Sequence, residues 1–268
     1  MNEIIFAVAL VGGIGLIVGI VLSAASEAFA VPVDEKAHAI REKLPGANCG
    51  ACGFSGCDGY AEALSKGEAQ PGLCSPGGEE TALELAELLG GEGSGFVRKS
   101  AVVHCFGTEN VTKKAAAYQG IKTCKAAMQL YGGMGRCVYG CIGFGDCAAV
   151  CSYGAITVSG GAAAVDPQRC KACGACVSAC PHGLIKIEPV RPHAAVLCSS
   201  CDKGSVTTKV CKSGCIGCMR CTRACENGAI TVKDNHARVD TEKCTACGRC
   251  VEACPRGILH MVGENPAE

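Results

Sequence analysis

Seven cysteines spread over forty residues recur farther along the chain with their spacing unchanged. Cys141, Cys147, Cys151, Cys170, Cys173, Cys176 and Cys180 each have a counterpart 74 positions later, at Cys215, Cys221, Cys225, Cys244, Cys247, Cys250 and Cys254. No gap is needed. Gly154 to Val158 (GAITV) recurs as Gly228 to Val232, Pro181 recurs as Pro255, and the same offset joins Cys124 to Cys198 and Cys137 to Cys211. A fixed period of this kind marks a duplicated structural unit, so whatever fold one copy takes, the other repeats.

The 268 residues hold 25 Cys, no Trp and few aromatics, so ordinary side-chain packing supplies only part of the stability. Such a cysteine content reads as a disulfide scaffold or as a metal protein. The C-x2-C-x2-C-x3-C runs decide for metal, because thiols so close in sequence suit ligation of one core and frustrate disulfide pairing. A four-Cys zinc site is the alternative for any single C-x2-C pair. Formal net charge is zero, but each oxidised [4Fe-4S] core with four thiolates carries about two negative charges. Five of them would make the loaded protein about ten charges more negative, and no basic run with interleaved aromatics is present, so nucleic acid is excluded as a partner.

Residues Ile4 to Ala25 are apolar or small, with Ser23 the sole hydroxyl and no charge. As a helix these positions span about 33 Å, enough for a bilayer core. A cleaved signal peptide competes, since Ala28-Phe29-Ala30 has a small-x-small pattern. Against it, Glu3 precedes the run, no Lys or Arg does, and the run is long for a signal. Lys36, Arg41 and Lys43 follow the helix, which predicts that the bulk of the chain faces the cytoplasm. Gly12, Gly15 and Gly19 would admit a second transmembrane helix or merely soften the anchor. Asp34 predicts an N-cap for a helix running to Leu44, with Pro45-Gly46 ending it. Cys49, Cys52, Cys57 and Cys74 then form a C-x2-C-x4-C-x16-C set among glycines. Glu79 to Leu89 predicts an amphipathic helix, and Gly90 to Gly95 a flexible linker and domain boundary.

Each copy of the repeat resembles a bacterial two-cluster ferredoxin, carried by Cys170-x2-Cys173-x2-Cys176-x3-Cys180-Pro181 and Cys244-x2-Cys247-x2-Cys250-x3-Cys254-Pro255. In that fold the fourth Cys of a run ligates the other cluster. The resemblance implies that Cys215, Cys218, Cys221 and Cys254 hold one cluster, and that Cys244, Cys247, Cys250 and Cys225 hold its neighbour. The first copy departs, because Phe144 stands at the counterpart of Cys218. Cys137, four residues before Cys141, is the expected substitute, giving Cys137, Cys141, Cys147 and Cys180, with Cys170, Cys173, Cys176 and Cys151 beside them. Five [4Fe-4S] clusters follow, and Cys105, Cys124, Cys198, Cys201 and Cys211 are left over. Those five are either buried or idle thiols or the source of a sixth cluster, which iron near 20 or near 24 per chain separates.

The expected architecture is α+β. A transmembrane anchor (1–30) precedes a small helical single-cluster 4Fe-4S domain (31–90), a connecting region (91–135) and two ferredoxin-like domains (136–190 and 191–268). In this order the modules resemble, over essentially the full length, the B subunits of Rnf- and Rsx-type ion-translocating electron-transport complexes. That resemblance implies an electron carrier of the inner membrane with its clusters on the cytoplasmic side. Its partners would be the other complex subunits, the membrane and soluble ferredoxin, within a translocase that couples ferredoxin:NAD oxidoreduction to Na+ or H+ movement. A membrane-bound reductase for a redox-sensing regulator is the alternative activity. Arg220, Arg223, Arg249 and Arg256 lie beside cluster ligands and are expected to receive an acidic ferredoxin. His38, His104, His182, His193, His236 and His260 show no metal spacing and are expected to be surface or packing residues. No phosphate-binding glycine loop, nucleotide fold or Ser-His-Asp arrangement is apparent, so no NAD or flavin site is expected in this chain.

Overall fold

A computed structural model describes residues 2–28, 34–91, 95–130 and 132–263. Phe29, Ala30 and the centre of the expected glycine-rich linker, 92–94, lie outside the described residues. The first helix, α1 (Asn2–Ala28), is apolar between Glu3 and Glu27 except for serines, and Ile5, Phe6 and its large side chains from Leu10 to Leu22 are exposed. Its stretch Ala9–Glu27 is long and apolar enough to cross a bilayer.

A three-helix module follows. Asp34 caps α2 (Glu35–Lys43) as its composition predicts, accepting the Lys36 and Ala37 N–H groups at 3.0 and 3.2 Å, and Leu44 ends the helix in extended geometry before Pro45. The second and third helices, α3 (Cys57–Ser65) and α4 (Gly78–Leu88), complete the module. Ile40, Tyr60, Leu64 and Leu85 are the core where the three meet, and each is almost fully buried. Asn48 Oδ1 accepts the Cys57 N–H at 2.9 Å, so the first two thiols are folded back against the N-terminus of α3.

The rest of the chain is two copies of one plan. In the first, β1 (Lys99–Val103) pairs antiparallel with β4 (Ile185–Pro189), Val103 opposite Ile185. Between them lie α5 (Cys124–Met128), α6 (Asp146–Ala149), the hairpin of β2 (Ile156–Ser159) and β3 (Ala162–Val165), and α7 (Ala175–Ala179). In the second, β5 (His193–Val196) pairs with β8 (Leu259–Val262) around α8 (Gly204–Val210), α9 (Arg220–Ala224), the β6 (Ile230–Lys233) and β7 (His236–Val239) hairpin, and α10 (Arg249–Glu252). The expected boundary at 136 therefore leaves out a strand of the first copy. Residues 99–103 belong to its sheet, because Ala101 and Val103 join the core formed by Ile156 and Ile185. The matching core of the second copy holds Ala194, Val196, Ile230 and Leu259.

Two of the scattered histidines meet on one carboxylate where the copies join. His104 Nε2 lies 2.9 Å from Glu188 Oε1 and His193 Nε2 lies 3.0 Å from Glu188 Oε2, linking β1, β4 and β5. Burial alone would push the Glu188 carboxyl up, but the hydrogen bonds from both imidazoles reverse it and hold it at about 2. Burial pushes His193 down, and its bond to Glu188 outweighs that and leaves it raised. The depressed carboxyl contributes stability above the usual carboxylate range that is lost as the pH falls toward about 2. The raised imidazole contributes stability below its usual value of 6.5 that is lost as the pH rises through its folded value. Glu188→Leu is expected to destabilise the full chain at pH 6 by on the order of 3 kcal/mol. The same variant should flatten the decline that follows as the pH rises past 6.5, both effects being measured by thermal unfolding in detergent across a pH series.

Candidate metal centres

Among the described residues no Cys, His, Asp or Glu side chains gather in the manner of a single-ion site. The thiols instead line cavities of similar size. Cys215, Cys218, Cys221 and Cys254 line one of about 350 Å³, and Cys151, Cys170, Cys173 and Cys176 line another of about 320 Å³. Both sets cross between the two halves of their copy, as the ferredoxin pattern implies. In the fourth set, Cys250 is pushed up to about 11 by burial and by the charges of Cys244, Cys247 and Cys225. In the helical module, Cys74 is raised by burial and by Cys57, Cys52 and Cys49. Buried neutral thiols with thiol neighbours have a shared use as ligands, since a bound metal core keeps them ionised.

A further cavity, about 410 Å³, is lined by Cys124, Cys141, Cys147 and Cys180. Cys137, expected here from its position in sequence, is not among its lining residues. The reason lies in α5, where Thr123 Oγ1 caps the helix on the Ala126 N–H at 3.2 Å. The Asp146 carboxylate takes the Cys124 and Lys125 N–H groups at 2.8 and 3.0 Å. Asp146 adjoins Cys147, so this grip brings Cys124 to the position that Phe144 vacates. His182 also lines the cavity, with Nδ1 2.6 Å from the Gly140 carbonyl and Nε2 buried without a partner. With the Nδ1 proton spent on that carbonyl, Nε2 accepts in the neutral ring and donates to an acceptor such as inorganic sulfide only in the imidazolium form.

Backbone strain marks the same loops. Ala172 and Ala246, related by the offset of 74, both have positive φ (51° and 57°) within the C-x2-C turns, and Met219 does so (59°) directly after Cys218. A side chain held in that region is strained unless its surroundings fix it. In the first of these turns the Ala172 N–H donates to Cys170 Sγ at 3.4 Å, and outside the turns the Ala101 N–H donates to Cys170 Sγ and that of Leu184 to Cys180 Sγ, each at 3.4 Å. Such bonds raise the potential of a cluster.

The comparisons with known proteins agree with this geometry. An Fe-S cluster family model matches residues 44–76, a 4Fe-4S binding domain model 163–186 and a 4Fe-4S dicluster domain model 214–258. The B subunit of the Na(+)-translocating ferredoxin:NAD(+) oxidoreductase complex of Acetobacterium woodii is 41% identical over 91% of this chain and 73% of its own length. The chain belongs to the family of B subunits of ion-translocating oxidoreductase complexes. The B subunit of the ion-translocating oxidoreductase complex of Methanosarcina acetivorans is 38% identical over 90% of this chain and 92% of its own. The B subunit of the proton-translocating ferredoxin:NAD(+) oxidoreductase complex of Clostridium ljungdahlii is 38% identical over 90% and 85%. With the three family models, membership assigns several [4Fe-4S] clusters as the resident cofactor, and zinc falls away.

Of the four arginines expected to face a partner, two are otherwise engaged. Arg256 turns inward, its Nη2 donating to the Cys211 carbonyl at 2.6 Å and its Nε to that of Gly214 at 3.3 Å. Arg249 is paired with Glu226, and its hydrogen bond to Cys247 lowers that thiol. Arg220 and Arg223 are exposed on α9, next to exposed Cys218 and Met219. The Cys124→Ala variant of the full chain is expected to lose up to about four iron atoms or to show an oxidised three-iron EPR signal. Anaerobic iron and acid-labile sulfide analysis with EPR checks this.

Proposed function

We propose that this chain is the membrane-anchored electron carrier of an ion-translocating ferredoxin:NAD oxidoreductase complex. It takes electrons from soluble ferredoxin and relays them singly to the other subunits, which couple the transfer to Na+ or H+ movement. Bound [4Fe-4S] clusters supply reversible one-electron redox chemistry without bond making. The residues assigned to them are Cys49, Cys52, Cys57 and Cys74 in the helical module. In the first copy they are Cys124, Cys141, Cys147 and Cys180, with Cys151, Cys170, Cys173 and Cys176 beside them. In the second they are Cys215, Cys218, Cys221 and Cys254, with Cys225, Cys244, Cys247 and Cys250 beside those.

The observation that carries the relay is that thiols of the helical module and of the first copy act on one tyrosine. Tyr153 is raised by burial and by the charges of Cys173 on one side and of Cys49 and Cys74 on the other, so the helical module's set lies close to the first copy's. Crossed ligation then joins the two sets within each copy. The anchor is α1, and Lys36, Arg41 and Lys43 beyond it favour a cytoplasmic location for the clusters. The relatives named above support the partners and the coupled reaction.

Entry of electrons is assigned to the second copy, where Cys218 and Cys247 are exposed and Arg220 and Arg223 offer positive charge to an acidic carrier. The double variant Arg220→Glu/Arg223→Glu is expected to slow reduction by ferredoxin about tenfold at low salt, and the wild-type rate is expected to fall steeply with added salt. Stopped-flow absorbance of the full chain checks both; a salt-independent rate would remove the docking assignment.

A further inference from the structure

With Cys124 drawn to the first copy's cavity, the thiols outside the five sets are Cys105, Cys137, Cys198, Cys201 and Cys211. They occupy one region. In each copy the chain leaves its core strand at a cysteine and returns to the first ligand run past another. It leaves after β1 at Cys105 and returns through Cys137 to Cys141; it leaves after β5 at Cys198 and returns through Cys211 to Cys215.

The two exits are held alike. Cys105 Sγ accepts the Cys141 N–H at 3.3 Å and the Gly107 N–H at 3.4 Å, and Cys198 Sγ accepts the Cys215 N–H at 3.3 Å and the Ser200 N–H at 3.4 Å. The bond from the residue two positions ahead is the one Cys170 makes with Ala172 at 3.4 Å, within a segment matched by a 4Fe-4S model. The two returns, Cys137 and Cys211, are partners in the repeat.

The excursions are also laced to one another. The Phe106 N–H donates to the Leu197 carbonyl at 3.0 Å, and Ser199 Oγ donates to the His104 carbonyl at 3.0 Å, so Cys105 and Cys198 lie on adjacent strands of chain. The Lys113 N–H donates to Val210 at 3.1 Å, that of Lys212 to Val111 at 2.9 Å and that of Arg136 to Lys113 at 2.9 Å, which sets Cys137 and Cys211 on either side of 112–113. Thr112 Oγ1 reaches Cys211 Sγ at 3.6 Å, and a Cβ on Gly107 would lie 2.5 Å from that hydroxyl and 3.3 Å from Cys105 Sγ. Thr112 therefore stands between a thiol of each copy. His236 Nε2, 2.6 Å from the Cys198 carbonyl, and Arg256 on the Cys211 carbonyl brace the second copy's pair. Burial pushes Cys105 up to about 12 and Cys198 up to about 11, and the charge of Cys137 acts on both.

We propose that Cys105, Cys137, Cys198 and Cys211 hold a further [4Fe-4S] cluster at the junction between the two copies, with Cys201 a bystander. The assignment rests on the relay reading and completes it. The N–H···S bonds from Cys141 and Cys215 connect this site to a ligand of the first copy's Cys141 set and a ligand of the second copy's Cys215 set. One electron arrives from one side and one leaves to the other, with no bond made or broken and no proton transferred.

The test uses the full chain purified anaerobically in detergent, analysed for iron, acid-labile sulfide and zinc, with EPR spin counting after dithionite reduction. Wild type and Cys201→Ser are expected to carry about 24 iron atoms, and the quadruple variant Cys105→Ser/Cys137→Ser/Cys198→Ser/Cys211→Ser about 20, with about one-sixth of the reduced spins lost. The iron that remains reports on folding. If the quadruple variant loses more than four irons, the single variants Cys105→Ser and Cys198→Ser decide: each loses no more than about four if the site exists, and none if it does not. About 20 irons in the wild type, or one zinc per chain that the quadruple variant lacks, overturns the proposal and leaves the five-set relay intact. A folded wild-type chain free of acid-labile sulfide would instead sink the relay reading.

Discussion

Thiolate–metal ligation stands in this fold where apolar packing stands in most domains. The strand pairs are only two-stranded, and isolated hairpins of that size are marginal in water. Their cores are built from Ala, Val and Ile with cysteines among them. Side chains this small enclose little apolar surface, and the cavities between them are lined by sulfur. Filling those cavities with inorganic cores supplies cross-links and contacts that the side chains lack, so cofactor binding and folding are one process. The helical module is the partial exception, because Ile40, Tyr60, Leu64 and Leu85 form a conventional core beside its thiols.

The gapless offset explains what could be read in advance. From Cys141 onward both copies keep the same spacing, and the cavities lined by the Cys215 set and the Cys170 set have the cysteines that this spacing implies. N-terminal to Cys141 the offset misleads, because the excursions differ in length. Cys105 precedes Cys141 by 36 residues while Cys198 precedes Cys215 by 17. The offset pairs Cys124 with Cys198, whereas hydrogen bonding makes Cys105 the spatial counterpart of Cys198. Cys137 is the nearest thiol N-terminal to the run that begins at Cys141, but the grip of Asp146 on α5 brings the more distant Cys124 to the cavity. A capping Thr123 before Cys124 signals a helix start; nothing in the linear pattern says against what that helix packs. The strand β1 has no signature in the linear pattern for the same reason, as its partner lies more than eighty residues away. Glu188 reads as an ordinary strand residue until the fold sets two imidazoles on it.

Charge follows from the same arrangement. Loading the thiol sets adds negative charge to a chain of zero formal charge, and the cations nearest the second copy's ligands are divided between two tasks. Arg256 is turned inward onto carbonyls of the Cys211 loop, and Arg249 is paired with Glu226. Arg220 and Arg223 remain at the surface. Sequence places all four within two residues of a cysteine of the sets; only the fold shows that Arg256 is turned inward and that Arg249, though exposed, is paired.

The crossed ligation proposed above has a consequence for biosynthesis. Each copy threads its last thiol, Cys180 or Cys254, back to the half that was made first. While the chain emerges from the ribosome, the earlier half of a copy is an open cup that lacks one wall until the later half has been translated. Cluster-delivery factors must therefore act on a nascent copy that is nearly finished, or leave an intermediate with one coordination position exposed to water and oxygen. The helical module, whose four thiols fall within a single short stretch, meets no such delay and can mature while the rest of the polypeptide is still being made.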